Sequence, residues 1–228
     1  MTSTFMETLQ LDETLTIRYK QGYNHCENNL SQYQDRYFPI IYIYGNHEQF
    51  NLCRAHQISR IISVNQCYID LSHVDLDQSN VSLINCKLVG QATSHLVVNS
   101  LMIQSCNFKI SQLQHGQINN IRIENYNPHD TLDLTGAKLL TKTHLVNLQL
   151  TKQTVDLSKL EGTWDYICFR DCTFKGQLRK DVLETKLMHI YTNPNIESGF
   201  SENLFQEAIV HQFRYHSSDV ATRSFSSL

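Results

Sequence analysis

Eleven histidines and seven cysteines are the residues of this 228-residue chain best suited to metal binding or catalysis. Their spacing does not support a metal site, because the sequence has no HExxH motif, no CxxC pair and no Cys–His set at zinc-finger distances. His73 and His115 fall at outward positions of the repeat described below, where solvated side chains are expected. We therefore predict no catalytic residue, no metal site and no cofactor.

The cysteines separate into inward and outward positions of the same repeat. Cys86, Cys106 and Cys172 fall at inward positions, where a thiol packs as a small and inert apolar group. Cys168 falls at an outward position beside Phe169, so we expect it to be the most reactive thiol. The odd cysteine count and the lack of an export signal favour reduced thiols, and we predict a cytoplasmic protein.

Three carboxylates, Asp70, Asp75 and Asp77, stand near His73 in the sequence. Two carboxylates on one face could cleave a polysaccharide, so a carbohydrate-active β-helix enzyme is one alternative function. In the repeat, Asp70 and Asp75 lie on successive faces and diverge, which favours roles in turns and in solubility. We keep the three aspartates as a candidate partner-binding patch.

Composition excludes several classes of protein. The net charge of −3, from 22 acidic and 19 basic residues, argues against a generic nucleic-acid binder. The 8 glycines and 3 prolines exclude collagen-like and proline-rich chains, and they leave too little glycine for phosphate-binding loops. No stretch has the roughly 18 apolar residues of a membrane span. We expect no direct contact with nucleic acid or with a membrane.

Two stretches of the sequence repeat every five residues. Residues 59–88 divide into SRIIS, VNQCY, IDLSH, VDLDQ, SNVSL and INCKL, and residues 101–125 into LMIQS, CNFKI, SQLQH, GQINN and IRIEN. In extended backbone, residues i−2 and i point to the same side, so two inward residues in every five require regular turns. Four such faces close a square coil of about 20 residues. The central, inward positions include Ile61, Gln66, Leu71, Leu76, Val81, Ile103, Phe108, Leu113, Ile118, Ile123 and Phe174.

This pattern resembles the pentapeptide-repeat family, whose consensus is A(D/N)LXX. IDLSHVDLDQSNVSLINCKL and LDLTGAKL carry the closest likeness, and the resemblance covers residues 59–180. It implies an all-β fold, a right-handed parallel β-helix of about six square coils. The repeat slips near residues 89–100, 126–131 and 158–166, where loops or irregular coils are expected.

A leucine-rich repeat is the alternative architecture. LINCKL, LMIQSCNF and IRIENYN also fit LxLxxCx at a spacing of about 20 residues. That fold needs a separate convex segment between its strands, and the unbroken five-residue units of residues 59–88 leave no room for one. A leucine-rich-repeat-type interaction protein therefore stays the second interpretation.

The sequence predicts four regions. Residues 1–55 form a mixed N-terminal cap with short strands at LTIRY and IIYIY, residues 56–180 the β-helix, residues 181–215 a C-terminal cap, and residues 216–228 a polar tail. SENLFQEAIVHQF predicts a helix in the third region, because its apolar residues recur at helical spacing. This helix would cap the last coil or join two copies as a homodimer through Phe200, Leu204, Phe205, Ile209 and Phe213.

The predicted function is a non-enzymatic protein–protein interaction module with a partner of unknown identity. The resembled family is best known for imitating duplex DNA and binding type II topoisomerases, so a DNA-mimicking binder of DNA gyrase is an alternative. Such mimicry needs a line of negative charge, but residues 59–180 hold 10 acidic and 12 basic residues. Asp70, Asp75 and Asp77 are the local acidic face that this alternative would use.

Overall fold

The computed structural model describes most of the chain, in two compact units. The described residues are 5–11, 14–20, 30, 33, 35–45, 47, 49–124, 131–141, 146–179, 182–192, 202–205, 208–217 and 220–225. Unit 1 comprises Met1–Phe108 and His115–Ile118, and unit 2 comprises Lys109–Gln114 and Asn119–Leu228. None of the described helices is long and apolar enough to cross a bilayer.

Unit 1 is built around a sheet with the strand order β1-β2-β3-β4-β6-β8. β1 and β2 are antiparallel, and every later pair is parallel. β5 and β7 form a second, short parallel pair. The strands are β1 (Phe5–Leu11), β2 (Thr14–Lys20), β3 (Ile40–Tyr44), β4 (Ile61–Asn65), β5 (Tyr68–Asp70), β6 (Leu76–Ile84), β7 (Lys87–Val89) and β8 (Leu96–Gln104), with 3-10 turns at Ala55–Gln57 and Leu71–His73. β2 and β3 contain the two short strands predicted from LTIRY and IIYIY.

Unit 2 repeats this plan with the strand order β9-β11-β13-β15-β16-β17. Its pairs are parallel except for the antiparallel β16 and β17, and β10, β12 and β14 form a short parallel sheet. The strands are β9 (Gln117–Glu124, in unit 2 from Asn119), β10 (Thr131–Leu132), β11 (Asn147–Thr151), β12 (Thr154–Asp156), β13 (Gly162–Arg170), β14 (Thr173–Lys175), β15 (Leu183–Thr192), β16 (Ile209–Ser217) and β17 (Val220–Phe225), with 3-10 turns at Ile110–Leu113, Ala137–Leu139, Leu157–Lys159 and Glu202–Phe205.

Within each unit the chain returns to the same sheet after about 20 residues. The circuits that start with β4 and β11 each contain a long strand, a left-handed residue, a three-residue strand and a 3-10 turn. In the circuit that starts with β11, the left-handed residue is Lys152 (φ 53°), and β12 and the turn Leu157–Lys159 follow. The left-handed residues that directly follow a long strand are Gln66, Asn85, Ser105, Lys152 and Asp171.

The residue after each left-handed position points into the core, and we call these five the ladder residues: Cys67, Cys86, Cys106, Gln153 and Cys172. All five are buried. Four of them donate a hydrogen bond to a main-chain carbonyl of the preceding circuit, 22 to 30 residues earlier. The acceptors are the carbonyl oxygens of Val64 (from Cys86, 3.5 Å), Leu83 (from Cys106, 3.3 Å), Ile123 (from Gln153, 3.1 Å) and Leu150 (from Cys172, 3.3 Å).

The burial predicted from the five-residue repeat is confirmed at nine of its central positions. Leu71, Leu76, Val81, Ile103, Phe108, Leu113, Ile118, Ile123 and Phe174 are all buried.

The inward orientation predicted for two other central positions, Ile61 and Gln66, is wrong. Ile61 is 45% exposed, and Gln66 is an exposed left-handed residue. The long strands keep a period of two, and the left-handed residue then shifts the inward position by one. Inward side chains therefore follow one another as Val81, Leu83, Cys86 and Leu88.

The predicted C-terminal helix is wrong over its second half. Ile209–Ser217 forms strand β16, paired with β15, and Glu202–Phe205 forms only a 3-10 turn. β-branched and aromatic residues favour a strand, and the open edge of β15 offers main-chain hydrogen bonds that a helix would leave unused. The helical dimer face is therefore absent from this segment.

The five residues assigned to that face lie in different environments. Phe205 and Phe213 are buried in the core, Leu204 is half-buried, and Ile209 is 47% exposed. Phe200 lies outside the described residues. A capping role for this segment stays a prediction. The ring of Phe205 packs in the core, 5.9 Å from that of Phe169 and 5.8 Å from that of Phe174.

We predict that Phe205→Ala lowers the free energy of unfolding by about 3–5 kcal/mol, because it empties a fully buried aromatic site. Ile209→Ala is the matched control from the same predicted stripe, and we expect a change of less than about 0.5 kcal/mol at this exposed position. Urea denaturation followed by circular dichroism measures both. Equal losses for the two variants would contradict this account of the C-terminal segment.

We also predict that Lys152→Gly stabilises the protein. A left-handed conformation costs an ordinary L-residue about 1–2 kcal/mol, part of which glycine recovers. Asn85→Gly is the control, because asparagine tolerates this conformation and less strain is relieved. Both side chains are exposed, and both main-chain N–H groups donate to the next strand at 2.9 Å. Thermal unfolding that shows Lys152→Gly below the wild type would refute the prediction.

Candidate interaction surface

The strands of unit 2 display their outward side chains in rows, because parallel register aligns equivalent positions. Cys168 of β13 pairs with His189 of β15, which pairs with Arg214 of β16. Two residues further along each strand, the next row pairs Arg170, Tyr191 and His216. We call these residues, with Tyr166, the outward patch: Tyr166, Cys168, Arg170, His189, Tyr191, Arg214 and His216.

One row of the outward patch is a stack of planar side chains. The guanidinium of Arg170 lies over the ring of Tyr191 at 5.0 Å. The rings of Tyr191 and His216 are parallel within 7° and their centroids are 4.5 Å apart. Neighbouring strands are about 4.8 Å apart, so the strand spacing itself brings these groups into stacking contact. Tyr191 is thus held between a cation and an imidazole.

His189 lies beside this stack and is surrounded by rings and cations. Its centroid is 5.3 Å from that of Tyr166 and 5.5 Å from that of His216. Its Nδ1 lies 3.2 Å from the hydroxyl of Tyr191. Burial, followed by the charges of His216 and Arg214, lowers the pKa of His189 below its usual value of 6.5. The imidazole is therefore neutral at neutral pH.

Two polar atoms of the outward patch lack hydrogen-bond partners. The Nε2 atoms of His189 and His216 are both buried and unpaired. A buried polar atom without a partner costs about 1–3 kcal/mol, so native structures rarely keep two in one cluster.

The patch also carries two cations without counter-ions. Arg170 and Arg214 are exposed, and no carboxylate of the described residues forms an ion pair with either. Some other basic residues of unit 2 are paired. Their pairs are Arg122 with Glu124 at 3.0 Å, Arg179 with Glu161 at 2.6 Å and Lys186 with Asp165 at 2.8 Å.

The expectation that Cys168 is the most reactive thiol is wrong. It lies on the outward row, but only 7% of it is exposed. Burial raises the pKa of the Cys168 thiol, and it raises the pKa of the neighbouring Tyr166 hydroxyl well above its usual value. Thiolate is the reactive form, so burial disfavours reaction at this thiol. Among the described cysteines Cys53 is exposed and the other five are buried.

Asp70 has a defined role in the turn that follows β5. Its Oδ1 accepts hydrogen bonds from the main-chain N–H of Ser72 at 3.0 Å and from the Ser72 hydroxyl at 2.6 Å. Asp156 and Ser158 repeat both bonds at the same two distances. One circuit after each of these aspartates lies a glycine, Gly90 or Gly176. A Cβ at Gly90 would collide with Asp70 Oδ1, and a Cβ at Gly176 would lie 2.6 Å from Asp156 Oδ1, so both positions require glycine.

The other two predicted aspartates have different surroundings. Asp77 lies 3.7 Å from Arg60, and both side chains are about half exposed. The main-chain carbonyl of Asp75 lies 3.3 Å from Nδ1 of His56. A partner-binding role for Asp70, Asp75 and Asp77 stays a prediction.

The sequence interpretation did not single out the outward patch. The sequence does contain an alternating pattern: tyrosine, cysteine, arginine and histidine residues occupy every second position of YICFR, HIY and RYH. The five-residue repeat obscured this period of two in β13, and the helix assigned to residues 201–213 obscured it in β16. Among the described residues, no group of three or more His, Cys, Asp or Glu side chains could hold a metal ion.

Comparison with known proteins gives no assignment. No family model matches the chain, no curated protein matches it, and no solved structure matches it. The function is therefore inferred from the geometry alone.

We predict that Asp70→Ala lowers the free energy of unfolding by about 1 kcal/mol at neutral pH, because the turn loses its cap. The Ser72 hydrogen bonds are the main reason that the pKa of Asp70 lies below its usual 3.8. A lowered pKa means that the stabilisation exists above pH 3.8 and is lost as pH falls through the folded-state pKa. The difference between wild type and variant should therefore shrink in acid.

Urea denaturation over a pH series measures this difference. Asp77→Ala is the control, because an exposed ion pair contributes about 0–1 kcal/mol at most. A gap between wild type and Asp70→Ala that grows toward acid pH would contradict the assigned role.

Proposed function

We propose that this protein is a non-enzymatic interaction module and that the outward patch binds a protein partner. The observation that carries the proposal is the concentration of stacked Tyr and His rings with two unpaired arginines on adjacent parallel strands. Tyrosine and arginine are enriched among residues that dominate binding energy. Paired strands hold them in place before binding, so little conformational entropy is lost on association.

We further propose that the units are solenoids, in the form of right-handed parallel β-helices, of the leucine-rich-repeat type rather than the pentapeptide type. Three features support this choice: long strands, a left-handed residue directly after five of them, and ladder residues that bond to the preceding circuit. VSLINCKL fits LxLxxCxL with Val81, Leu83, Cys86 and Leu88 all buried. The 3-10 turns occupy the place of the convex segment, so the circuit needs no longer helix.

The charge of the outward patch also bears on the alternative of DNA mimicry. A mimic must present closely spaced negative charge, whereas this patch presents Arg170 and Arg214 without counter-ions. We therefore place partner binding at the outward patch rather than at Asp70, Asp75 and Asp77.

The test is affinity capture with two matched double variants. Arg170→Ser with Tyr191→Ser removes the cation–π pair of the patch, and Arg18→Ser with Tyr44→Ser removes a similar pair on unit 1, where the guanidinium lies 5.5 Å from the ring. Each bait is presented to native lysate, and retained proteins are quantified by mass spectrometry. We expect one protein to be retained by wild type and by the unit 1 variant, and to fall at least about tenfold on the patch variant.

Thermal unfolding of the three baits controls for loss of fold. Equal capture by all three baits would refute the assignment of binding to the outward patch, and so would the absence of any specifically retained protein.

A further inference from the structure

We propose that the outward patch recognises an extended acidic peptide of its partner, and that His189 takes up a proton when a peptide carboxylate docks. This inference rests on the proposed function and specifies the chemistry of the partner. Its three supports are the unpaired arginines, the covered ring faces and the cationic surroundings of His189.

The charges of the patch favour an anion. Arg170 and Arg214 are exposed on either side of His189 and have no carboxylate partner among the described residues. A guanidinium binds a carboxylate through two parallel hydrogen bonds, with shorter and stronger bonds than a neutral pair makes. A partner that brings carboxylates would supply the counter-ions that this part of unit 2 lacks.

The ring geometry favours a peptide over single-stranded nucleic acid. Bases bind such surfaces by stacking on open aromatic faces. Here Arg170 covers the Tyr191 ring at 5.0 Å and His216 is stacked on it at 4.5 Å. The stack leaves edges and N–H donors for recognition, which suits carboxylates on an extended chain.

His189 is the group whose protonation responds to the ligand. The side chains around it are two phenols, one thiol, two cations and one imidazole, with no carboxylate among them. Burial keeps the thiol and the phenol of β13 protonated and neutral. These groups are Tyr166, Cys168 and Arg170 on β13, Tyr191 on its own strand, and Arg214 and His216 on β16.

A docked carboxylate reverses the balance at His189. In the free protein the burial of the ring, followed by the charges of His216 and Arg214, disfavours the imidazolium. A carboxylate that docks beside Arg214 would offset that cationic charge. Binding then raises the pKa of His189 from its lowered value. By linkage, affinity increases as pH falls through the pKa of the bound state.

Synthetic peptides test the proposal directly. The probe is a fluorescein-labelled octapeptide of alternating Glu and Ser, which places every carboxylate on one side of an extended chain, and its control is the Gln–Ser octapeptide. Fluorescence anisotropy gives Kd at about pH 8 and about pH 6, a range in which glutamate stays ionised and histidine titrates. We expect the Glu peptide to bind at least about tenfold tighter than the Gln peptide, and about threefold to tenfold tighter at the lower pH.

Two variants separate the parts of the proposal. Arg170→Ser with Arg214→Ser should abolish the preference for the Glu peptide. His189→Gln should keep the preference and remove the pH dependence, and His189→Asn serves the same purpose if the first variant does not fold.

Each contrary result has a definite reading. Equal binding of the Glu and Gln peptides, or no binding of the Glu peptide at about 1 mM, overturns the acidic-peptide assignment. A pH dependence that persists in both His189 variants overturns the role of that residue. Tighter binding of an oligothymidylate than of the Glu peptide overturns the choice of partner. Capture by the outward patch in lysate is measured separately, so the proposed function can survive any of these results.

Discussion

Hydrogen bonds from the ladder residues to carbonyl oxygens of the preceding circuit are the constraint on which the rest of the structure depends. The thiol of a cysteine, or the side-chain amide of Gln153, fills space in the core and still reaches a main-chain acceptor. Burial raises the pKa of Cys172, which donates to the carbonyl oxygen of Leu150, to about 12. This thiol stays protonated at neutral pH and remains a donor. The chemistry suggested by a cysteine-rich sequence is therefore used for holding circuits together.

The ladder also determines where the outward patch lies. A ladder residue can point inward only if the residue before it adopts a left-handed conformation, as Asn85 and Lys152 do. That single residue ends one long strand and fixes its register against the next circuit. Register in turn aligns Arg170 with Tyr191 and His216 across three strands. A surface stack thus depends on buried bonds at the strand ends.

Burial was largely predictable from the sequence, but the geometry of the circuit was not. A five-residue repeat and a long strand with a shifted corner place many of the same residues inward, which explains why Phe108 and Ile123 were predicted correctly. The two patterns differ at Ile61 and Gln66. The five-residue repeat predicts that both side chains point inward, whereas in the structure both point outward. The left-handed conformation after a long strand could not be predicted from a recurring residue type. Among the described residues, Gln, Asn, Ser, Lys and Asp occupy this position, and glycine, which usually marks it, does not.

The candidate site was hidden for a related reason. The residues of the outward patch lie on three strands that are separate in sequence, and no local sequence motif indicates that these strands align. Phe213 and its neighbours carry an apolar spacing that a helix and a strand share in part, and pairing with β15 decided between them. Tertiary pairing can override a local preference, especially at a sheet edge.

The circuit also determines where the chain can tolerate insertions and deletions. Asp70 caps its own turn while Gly90 makes room for that cap from the following circuit, so the number of residues between them is fixed by contacts at both ends. Circuits nevertheless differ in length elsewhere: Ile121 pairs with Leu148, whereas Leu148 pairs with the much nearer Ile167. Half of this difference lies between the long strand and the short strand, because Glu124 and Thr131 are seven positions apart, whereas their partners Thr151 and Thr154 are three positions apart. Length variation among related chains should therefore be tolerated between a long strand and the short strand that follows it, and the sheet positions that carry the outward patch should keep their spacing.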